Sequence, residues 1–347
     1  MRFIRTARTA RAAAIVAASL AVVATSALSA SADQGFTPDS DDVVIVGSDT
    51  SEFVLNDLAN LYNGRTPTPT RRIASFDATG TSPITIRPGV SIARPNGSGA
   101  GITALCNRTD IDSARSSRGR AAGDCADAQF LKYAVDQVRW MANSGVTGIT
   151  SLTDAALTNI YNCTWTNWNQ VDPDGSGPLT AGVGPNLPIV PLIPQVNSGT
   201  RAFWATQVGI SSTSLPICVK DSVGGSLVQE HDPAPVKATA GSIAPVSVGR
   251  YSLLTAAQKS GTFQGAIPTP DSTFYDRTLY QVVKAPGQVV PAYLADLFGD
   301  GFGFSSTGAT PFICEPSDTN PATTTAGDVI KTNGFSELPT GQCGTFQ

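Results

Sequence analysis

Charged residues are scarce in this chain. Asp, Glu, Lys and Arg make up 14% of its 347 residues, against roughly 25% in an average soluble domain. The 23 basic residues do not outnumber the 27 acidic ones, and the formal net charge is −4. Because attraction to a polyanion needs a basic surface, this balance excludes a basic nucleic-acid-binding protein. The apolar content of 41% and the 33 Gly and 24 Pro instead predict a globular protein with many turns.

Residues that bind metals are also few. His231 is the only histidine, and no C-x-x-C motif occurs, so we expect neither a metal site nor a cofactor. We interpret His231 as a solvated surface side chain. A Ser-His-Asp triad is the less favoured alternative, because no G-x-S-x-G motif accompanies the histidine.

Long hydrophobic runs are missing apart from one near the N-terminus. The largely apolar stretch 12–24 follows four arginines and precedes Ala30-Ser31-Ala32. It is shorter than the ~20 residues needed to span a bilayer, and the three parts together are typical of a secretory signal peptide at 1–32. No cysteine lies directly after the run, at the expected cleavage site. We therefore expect a secreted protein, extracellular or periplasmic, without a lipid anchor.

The cysteine count fits an oxidising compartment. Six cysteines in an exported chain predict three disulfides. Six cysteines allow 15 pairings, and spacing alone does not choose among them. The simplest hypothesis joins nearest neighbours, which gives Cys106–Cys125, Cys163–Cys218 and Cys314–Cys343.

Apolar periodicity predicts strands that alternate with helices. Strands are expected at 43–46, 133–141, 188–193, 242–248 and 278–283, with a strand pair over 84–93. Helices are expected after residues 51, 101, 152 and 200, and over 290–298. Alternation of this kind indicates an α/β fold. Trp165 and Trp168 are expected to pack in the interior, with stacking on a sugar as the alternative.

Three small-residue turns each join a predicted strand to a predicted helix. They are Gly47-Ser48-Asp49-Thr50-Ser51, Gly97-Ser98-Gly99-Ala100-Gly101 and Asn197-Ser198-Gly199-Thr200. The first N–H groups of a helix lack intrahelical partners, and the helix dipole favours negative charge there. One such turn is explained by capping alone. Three on one chain predict a site for a desolvated oxyanion, provided that the fold brings them together.

At these turns the sequence resembles the phosphate-binding proteins of ABC uptake systems, which have the type 2 periplasmic-binding-protein fold. The resemblance spans most of residues 43–251. It rests on the segments VGSDTSEFVLNDLA (46–59), NGSGAGI (96–102), DIDSARSSR (110–118), FLKYAVDQVRW (130–140), SLTDAALTNIYNCTWTNWNQV (151–171), PLIPQVNSGTRAFW (191–204) and GSIAPVSVGRY (241–251).

The resemblance implies two α/β lobes that close on a ligand. It places lobe I at 43–135 plus 242–347 and lobe II at 136–241, with hinge crossovers near 129–136 and 240–248. The ligand-binding residues that it implies are Thr50, Ser51, Ser98, Ser198, Gly199 and Thr200.

Two positions depart from the family pattern. The arginine that precedes the third turn in the family falls on Pro194, and the aspartate that contacts the anion falls near Ser116 or Ser117. We take Arg115, Arg118 and Arg201 as candidates for the missing cation.

The expected function is that of a secreted, monomeric solute-binding protein for an inorganic oxyanion. Phosphate is the expected ligand, an ABC transporter permease the expected partner, and catalysis is not expected. Two alternatives remain: an extracellular interaction protein that kept the fold, and a secreted phosphoester hydrolase.

Overall fold

The computed structural model describes residues 33–180 and 182–347. The predicted signal peptide lies outside these residues. The helices are α1 (Glu52–Asn63), α2 (Ser98–Asn107), α3 (Asp154–Tyr161), α4 (Gly199–Gln207), α5 (Ala234–Ala238), α6 (Val248–Leu253), α7 (Ala256–Lys259), α8 (Ala292–Phe298) and α9 (Ala326–Thr332). The strands are β1 (Val43–Gly47), β2 (Ile73–Ser75), β3 (Ile84–Arg87), β4 (Val90–Ile92), β5 (Ser113–Ser116), β6 (Ala128–Asn143), β7 (Val190–Pro191), β8 (Ser222–Val223), β9 (Ser226–Leu227), β10 (Ser242–Ser247), β11 (Thr262–Gly265), β12 (Asp276–Lys284) and β13 (Ser336–Glu337).

The long strand β6 connects the two halves of the main sheet. The strand order is β2-β1-β5-β12-β6-β10-β7, and β11 and β13 also pair with β6. Positions 128–137 of β6 pair with β12, whereas positions 138–142 pair with β10. The strands β2, β1 and β5 are parallel. This mixed sheet with helices is the α/β architecture that the alternating pattern predicted.

Separate apolar cores lie on the two halves. One half contains two clusters, around Val43, Leu58 and Phe298 and around Val46 and Ile102. The other half contains a cluster rich in aromatic residues, whose buried members include Trp140, Trp165, Trp168 and Trp204. Packing in the interior is thus confirmed for Trp165 and Trp168. Ile243, Ile267 and Tyr275 also belong to this cluster, although the predicted boundaries place them in lobe I. Those boundaries stay a prediction.

One strand is much shorter than predicted. The segment 188–193 contributes only Val190–Pro191 to the sheet, as a strand that pairs with β10 alone. Pro188, Pro191 and Pro194 lack a backbone N–H, so this segment cannot donate a full ladder of hydrogen bonds.

The disulfides are the three nearest-neighbour pairs. Cys106–Cys125, Cys163–Cys218 and Cys314–Cys343 are bonded, with Cα–Cα distances of 5.9, 5.8 and 5.6 Å. The simplest pairing is therefore confirmed. Within the described part of the chain, no helix is long and apolar enough to cross a membrane.

Candidate functional site

The fold brings the three small-residue turns together. The first turn follows β1, the second begins α2, and the third begins α4. The Gly99 N–H donates to the Asn197 carbonyl at 2.9 Å, and the Thr50 and Thr200 hydroxyls are 3.4 Å apart. The condition on which the oxyanion hypothesis depended is therefore met.

Glycine at two positions permits this close approach. Gly97 has φ +96°, and a Cβ there would lie 2.5 Å from the Asn197 carbonyl oxygen. A Cβ on Gly199 would lie 2.3 Å from Ser98 Oγ and 2.4 Å from Ser117 Oγ. A larger residue at Gly97 would separate the turns, because a real Cβ essentially never comes so close to backbone atoms, whereas one at Gly199 would displace the two serine hydroxyls.

Three buried serine hydroxyls line one side of the site. Ser117 Oγ lies 3.1 Å from Ser48 Oγ and 3.3 Å from Ser98 Oγ, and Ser98 Oγ accepts the Ser117 N–H at 3.0 Å. Of the two positions where the family pattern would place an aspartate, Ser117 is the one that contacts these hydroxyls. Ser116 instead donates to the Arg118 carbonyl and does not belong to the cluster that Ser48, Ser98 and Ser117 form.

A carboxylate of the chain itself lies between the first and third turns. Glu230 Oε2 accepts the Thr50 hydroxyl at 3.0 Å, and Oε1 accepts the Thr200 N–H at 3.3 Å. Burial alone would raise the pKa of Glu230, but the adjacent His231, a hydrogen bond from Ser198 and the charge of Arg277 lower it. Glu230 is therefore an ionised carboxylate at the N-terminus of α4, in the surroundings that were predicted for an oxyanion.

The cation beside this carboxylate is Arg277, at the start of β12. Its guanidinium donates to Thr200 Oγ1 at 2.9 Å and to Thr50 Oγ1 at 3.2 Å. It also forms a buried ion pair with Asp136 of β6 through Nε at 3.0 Å and Nη2 at 2.8 Å. Asp136 in turn accepts the Ser247 hydroxyl at 2.6 Å. The guanidinium is thus held in place by Asp136 while its remaining donors face the two threonines.

His231 contradicts the expectation of a solvated side chain. It is 4% exposed, and its Nε2 lies 2.9 Å from Thr50 Oγ1. Its backbone has φ +60°, a conformation in which histidine is enriched among non-glycine residues. The Ser247 N–H donates to Nδ1 at 3.1 Å, so the neutral ring carries its proton on Nε2. Burial lowers the pKa of His231 and outweighs the neighbouring Glu230 charge.

The three arginines proposed from the sequence lie in other surroundings. Arg115 is fully buried and donates to Ser48 O, Ser75 Oγ and Phe76 O. Arg118 pairs with Asp124 at 2.8 Å. Arg201 pairs with Asp221 at 2.9 Å and donates to the carbonyls of Ser212 and Pro194. Their ligand-binding role stays a prediction, but the guanidinium that contacts both threonines of the site is that of Arg277.

The other residues predicted for the site lie at the starts of helices. Ser51 is buried at the N-cap of α1 and makes no side-chain capping bond. Ser198 caps α4 by accepting the Arg201 N–H at 2.9 Å. Thr50, Ser98, Gly199 and Thr200 line the contact between the turns, as described above.

Sequence reasoning missed Asp136, Glu230 and Arg277. Asp136 and Arg277 occupy strands that carry further charged residues, AQFLKYAVDQVRWMAN and DRTLYQVVK. The sequence therefore did not distinguish these two buried charges from the more exposed charges of the same strands. Glu230 lies in a loop between β9 and α5, where a charged residue is ordinary.

A second ion pair borders the site. Asp49 and Arg250 are in contact at 3.2 Å, and the Arg250 guanidinium lies over the Phe53 ring at 3.6 Å. Burial, together with the nearby charges of Glu230 and Glu52, raises the pKa of Asp49 despite Arg250. The carboxylates of Asp49, Asp136 and Glu230 therefore all lie at or beside the site.

Comparison with known proteins identifies similar folds. The family description "PBP superfamily domain" matches residues 30–299. A putative phosphate ABC transporter substrate-binding protein with bound phosphate from Clostridium perfringens is 17% identical, with a TM-score of 0.55 over 86% of this chain and 100% of that one. An ABC-type phosphate transport receptor from Vibrio cholerae is 18% identical, with a TM-score of 0.51 over the same shares. No curated protein sequence matches significantly.

Proposed function

The chain belongs to the periplasmic-binding-protein superfamily, and from that premise we propose that it is a secreted solute-binding protein for phosphate. The ligand would bind where the three small-residue turns meet. The proposal includes delivery to an ABC transporter permease. It is supported by the similarity to an ABC-type phosphate transport receptor from Vibrio cholerae and to a putative phosphate ABC transporter substrate-binding protein from Clostridium perfringens.

The surroundings of Glu230 are the observation that carries this proposal. A buried, ionised carboxylate receives a hydroxyl donor from Thr50 and a backbone N–H from Thr200, beside the guanidinium of Arg277. Phosphate has the same need for hydrogen-bond donors and positive potential. Surroundings that stabilise one oxyanion can therefore stabilise another, once Glu230 has moved away.

A hydrolase is less well supported than a binding protein. Thr50 and His231 are at hydrogen-bond distance, which is the geometry of a nucleophile beside a general base. The base, however, must accept a proton at Nε2. Because the Ser247 N–H occupies Nδ1, the neutral ring already carries its proton on Nε2. His231 is therefore unable to activate the Thr50 hydroxyl in this arrangement.

Calorimetry with a panel of solutes tests the proposal. The purified protein is titrated with phosphate, sulfate, molybdate and a simple sugar. We expect saturable binding of phosphate, weaker binding of the other anions, and no heat from the sugar. Turnover of a chromogenic phosphoester, which should be absent, is measured on the same sample. Tight binding of the sugar with no response to phosphate would overturn the proposal.

An extracellular interaction protein that kept the fold and lost the ligand is a second candidate. The same observation favours it, because Glu230 already fills the place of an anion. Such a protein would give no heat with any of the small anions, so the same titrations separate the two functions.

A further inference from the structure

We infer that Glu230 is an internal anion that holds the ligand-free cleft closed, the cleft being the place where the turns that contain Thr50, Ser98 and Ser198 meet. A ligand must therefore displace the Glu230 carboxylate in order to bind. This inference concerns the same cleft as the proposed function and rests on it for the incoming phosphate. It adds a competition within the chain that controls access to the site.

Glu230 joins residues from both halves of the molecule. It lies in the loop between β9 and α5, and it contacts Thr50 at the start of α1 and Thr200 at the start of α4. The neighbouring Gln229 side chain is also held across the cleft. The Asn96 amide donates to Gln229 Oε1 at 2.8 Å, and Asn96 Oδ1 accepts from the Gln195 amide at 2.9 Å. The loop that carries Glu230 is therefore fixed while the cleft is closed.

The charges in the cleft oppose a second anion. Asp136 and Glu230 are carboxylates, and Arg277 is the guanidinium that neutralises one of them. Among Asp136, Glu230 and Arg277, one negative charge is thus in excess before any ligand arrives. Phosphate beside Glu230 would add like charge in a site shielded from water, where repulsion is strong.

Space leads to the same conclusion. Gly199 lies so close to Ser98 and Ser117 that even a Cβ would contact their hydroxyl oxygens within 2.4 Å. The second and third turns are therefore in direct contact at Gly199. A ligand that enters between the turns has to separate them, and the Glu230 contact to Thr50 breaks as Thr50 and Thr200 move apart.

Competition of this kind weakens the apparent affinity. If only a fraction of the molecules has Glu230 displaced, the apparent dissociation constant is the intrinsic one divided by that fraction. Removing the carboxylate should then strengthen phosphate binding, whereas removing a residue that binds the ligand would weaken it.

The test compares Glu230→Gln, Glu230→Ala and the control Asp232→Asn, which removes a carboxylate two residues away that caps a turn at Ala234. The radius of gyration is measured by small-angle X-ray scattering in phosphate-free buffer, and phosphate affinity by calorimetry. We expect Glu230→Ala to have a larger radius than the parent and to return to the parent value with phosphate. We expect Glu230→Gln to bind phosphate at least about tenfold more tightly than the parent, because one like charge is removed. Asp232→Asn should match the parent in both measurements.

The outcomes separate this inference from the proposed function. If Glu230→Ala opens in buffer but no variant binds phosphate, the closing role of Glu230 stands and the proposed ligand is wrong. If both Glu230 variants keep the parent radius and bind phosphate no more tightly than the parent, the inference is overturned. Weaker binding by Glu230→Gln would also overturn it, because the carboxylate would then be part of the ligand site. Glu230→Gln keeps the size of the side chain, so the test does not depend on the folding of Glu230→Ala.

Discussion

The cleft and the aromatic core are two buried regions that share helix α4. At its N-terminus, Ser198, Gly199 and Thr200 face the cleft, whereas Trp204 on the same helix packs against Tyr161 and Tyr275. The aromatic core excludes water around rings. The cleft excludes water around the charges of Glu230 and Arg277, each of which needs partners.

This difference shows which region stabilises the fold and in which region a ligand can change the conformation. Burial of rings gains free energy from every contact and depends little on any single atom. A buried charge is stable only while its partner is present, so a single substitution or ligand can change the balance. The cleft is therefore the region where binding can alter the conformation.

Arg277→Ala should have the largest effect on stability. It leaves Asp136 buried without its cation, and breaking a buried ion pair costs about 3–5 kcal/mol. Chemical denaturation measures the loss. The control is Lys331→Ala, which breaks the more exposed pair with Glu337 and should cost no more than about 1 kcal/mol. An equal loss of unfolding free energy in the two variants would mean that the buried ion pair of the cleft is no more important for stability than the exposed pair.

Two tryptophans of the aromatic core offer a matched comparison. Trp168 Nε1 donates to the Gly241 carbonyl at 2.9 Å, whereas Trp165 Nε1 has no hydrogen-bond partner among the described residues. Both side chains are buried. Trp168→Phe should therefore cost about 0.5–1.5 kcal/mol more than Trp165→Phe, because it removes one of the two hydrogen bonds to the Gly241 carbonyl, which still accepts the Val190 N–H at 3.1 Å. Denaturant midpoints of the two variants decide this, and a larger loss for Trp165→Phe would contradict it.

Ser198→Ala should affect both stability and binding. The hydroxyl caps α4, and loss of such a cap costs about 1 kcal/mol. The variant also lacks the hydroxyl that would donate a hydrogen bond to the anion, which should weaken phosphate binding by about 10- to 150-fold. Thr255→Ala is the control, because Thr255 caps α7 outside the cleft. It should lower the melting temperature without changing phosphate affinity. Unchanged phosphate binding by Ser198→Ala would place the anion elsewhere.

The smallest effect is expected from the titration of His231. Since burial lowers the pKa of His231, the unfolded chain takes up this proton at a higher pH than the folded chain does. The contribution to stability is complete above the unfolded pKa of about 6.5 and is lost as the pH falls below it. Because this histidine is the only one, its NMR titration needs no assignment by mutation. The ring of the folded protein should titrate at a lower pH than the histidine of the unfolded chain.

His231→Asn provides the control for that titration. Asparagine tolerates a positive φ and offers an oxygen to the Ser247 N–H. We expect the melting temperature of this variant to fall less steeply than that of the parent between pH 7 and pH 5. Identical slopes would show that His231 contributes nothing to the pH dependence of stability.

Much of the local structure could be predicted from the sequence because it depends on short-range rules. Alternating apolar periodicity gave the α/β class, and the strand pair at 84–93 and the helix from Asp154 are present. The turns at Thr50, Ser98 and Ser198 were recognisable because glycine and hydroxyl residues at helix starts serve a local purpose. The shortened strand at 190–191 was a failure of the same reasoning, since three prolines outweighed an apolar run.

The sequence by itself determined which turns could offer donors to an anion, because capping and glycine chemistry act within a few residues. Only the tertiary structure decided what those donors meet. Glu230 and Arg277 come to Thr50 and Thr200 from positions 180 and 227 residues away from Thr50. Such charges need partners only after folding has removed the water around them, so the sequence alone does not mark them. For His231, the tertiary structure likewise supplied the burial that lowers the pKa of the ring and the Ser247 N–H that determines its tautomer.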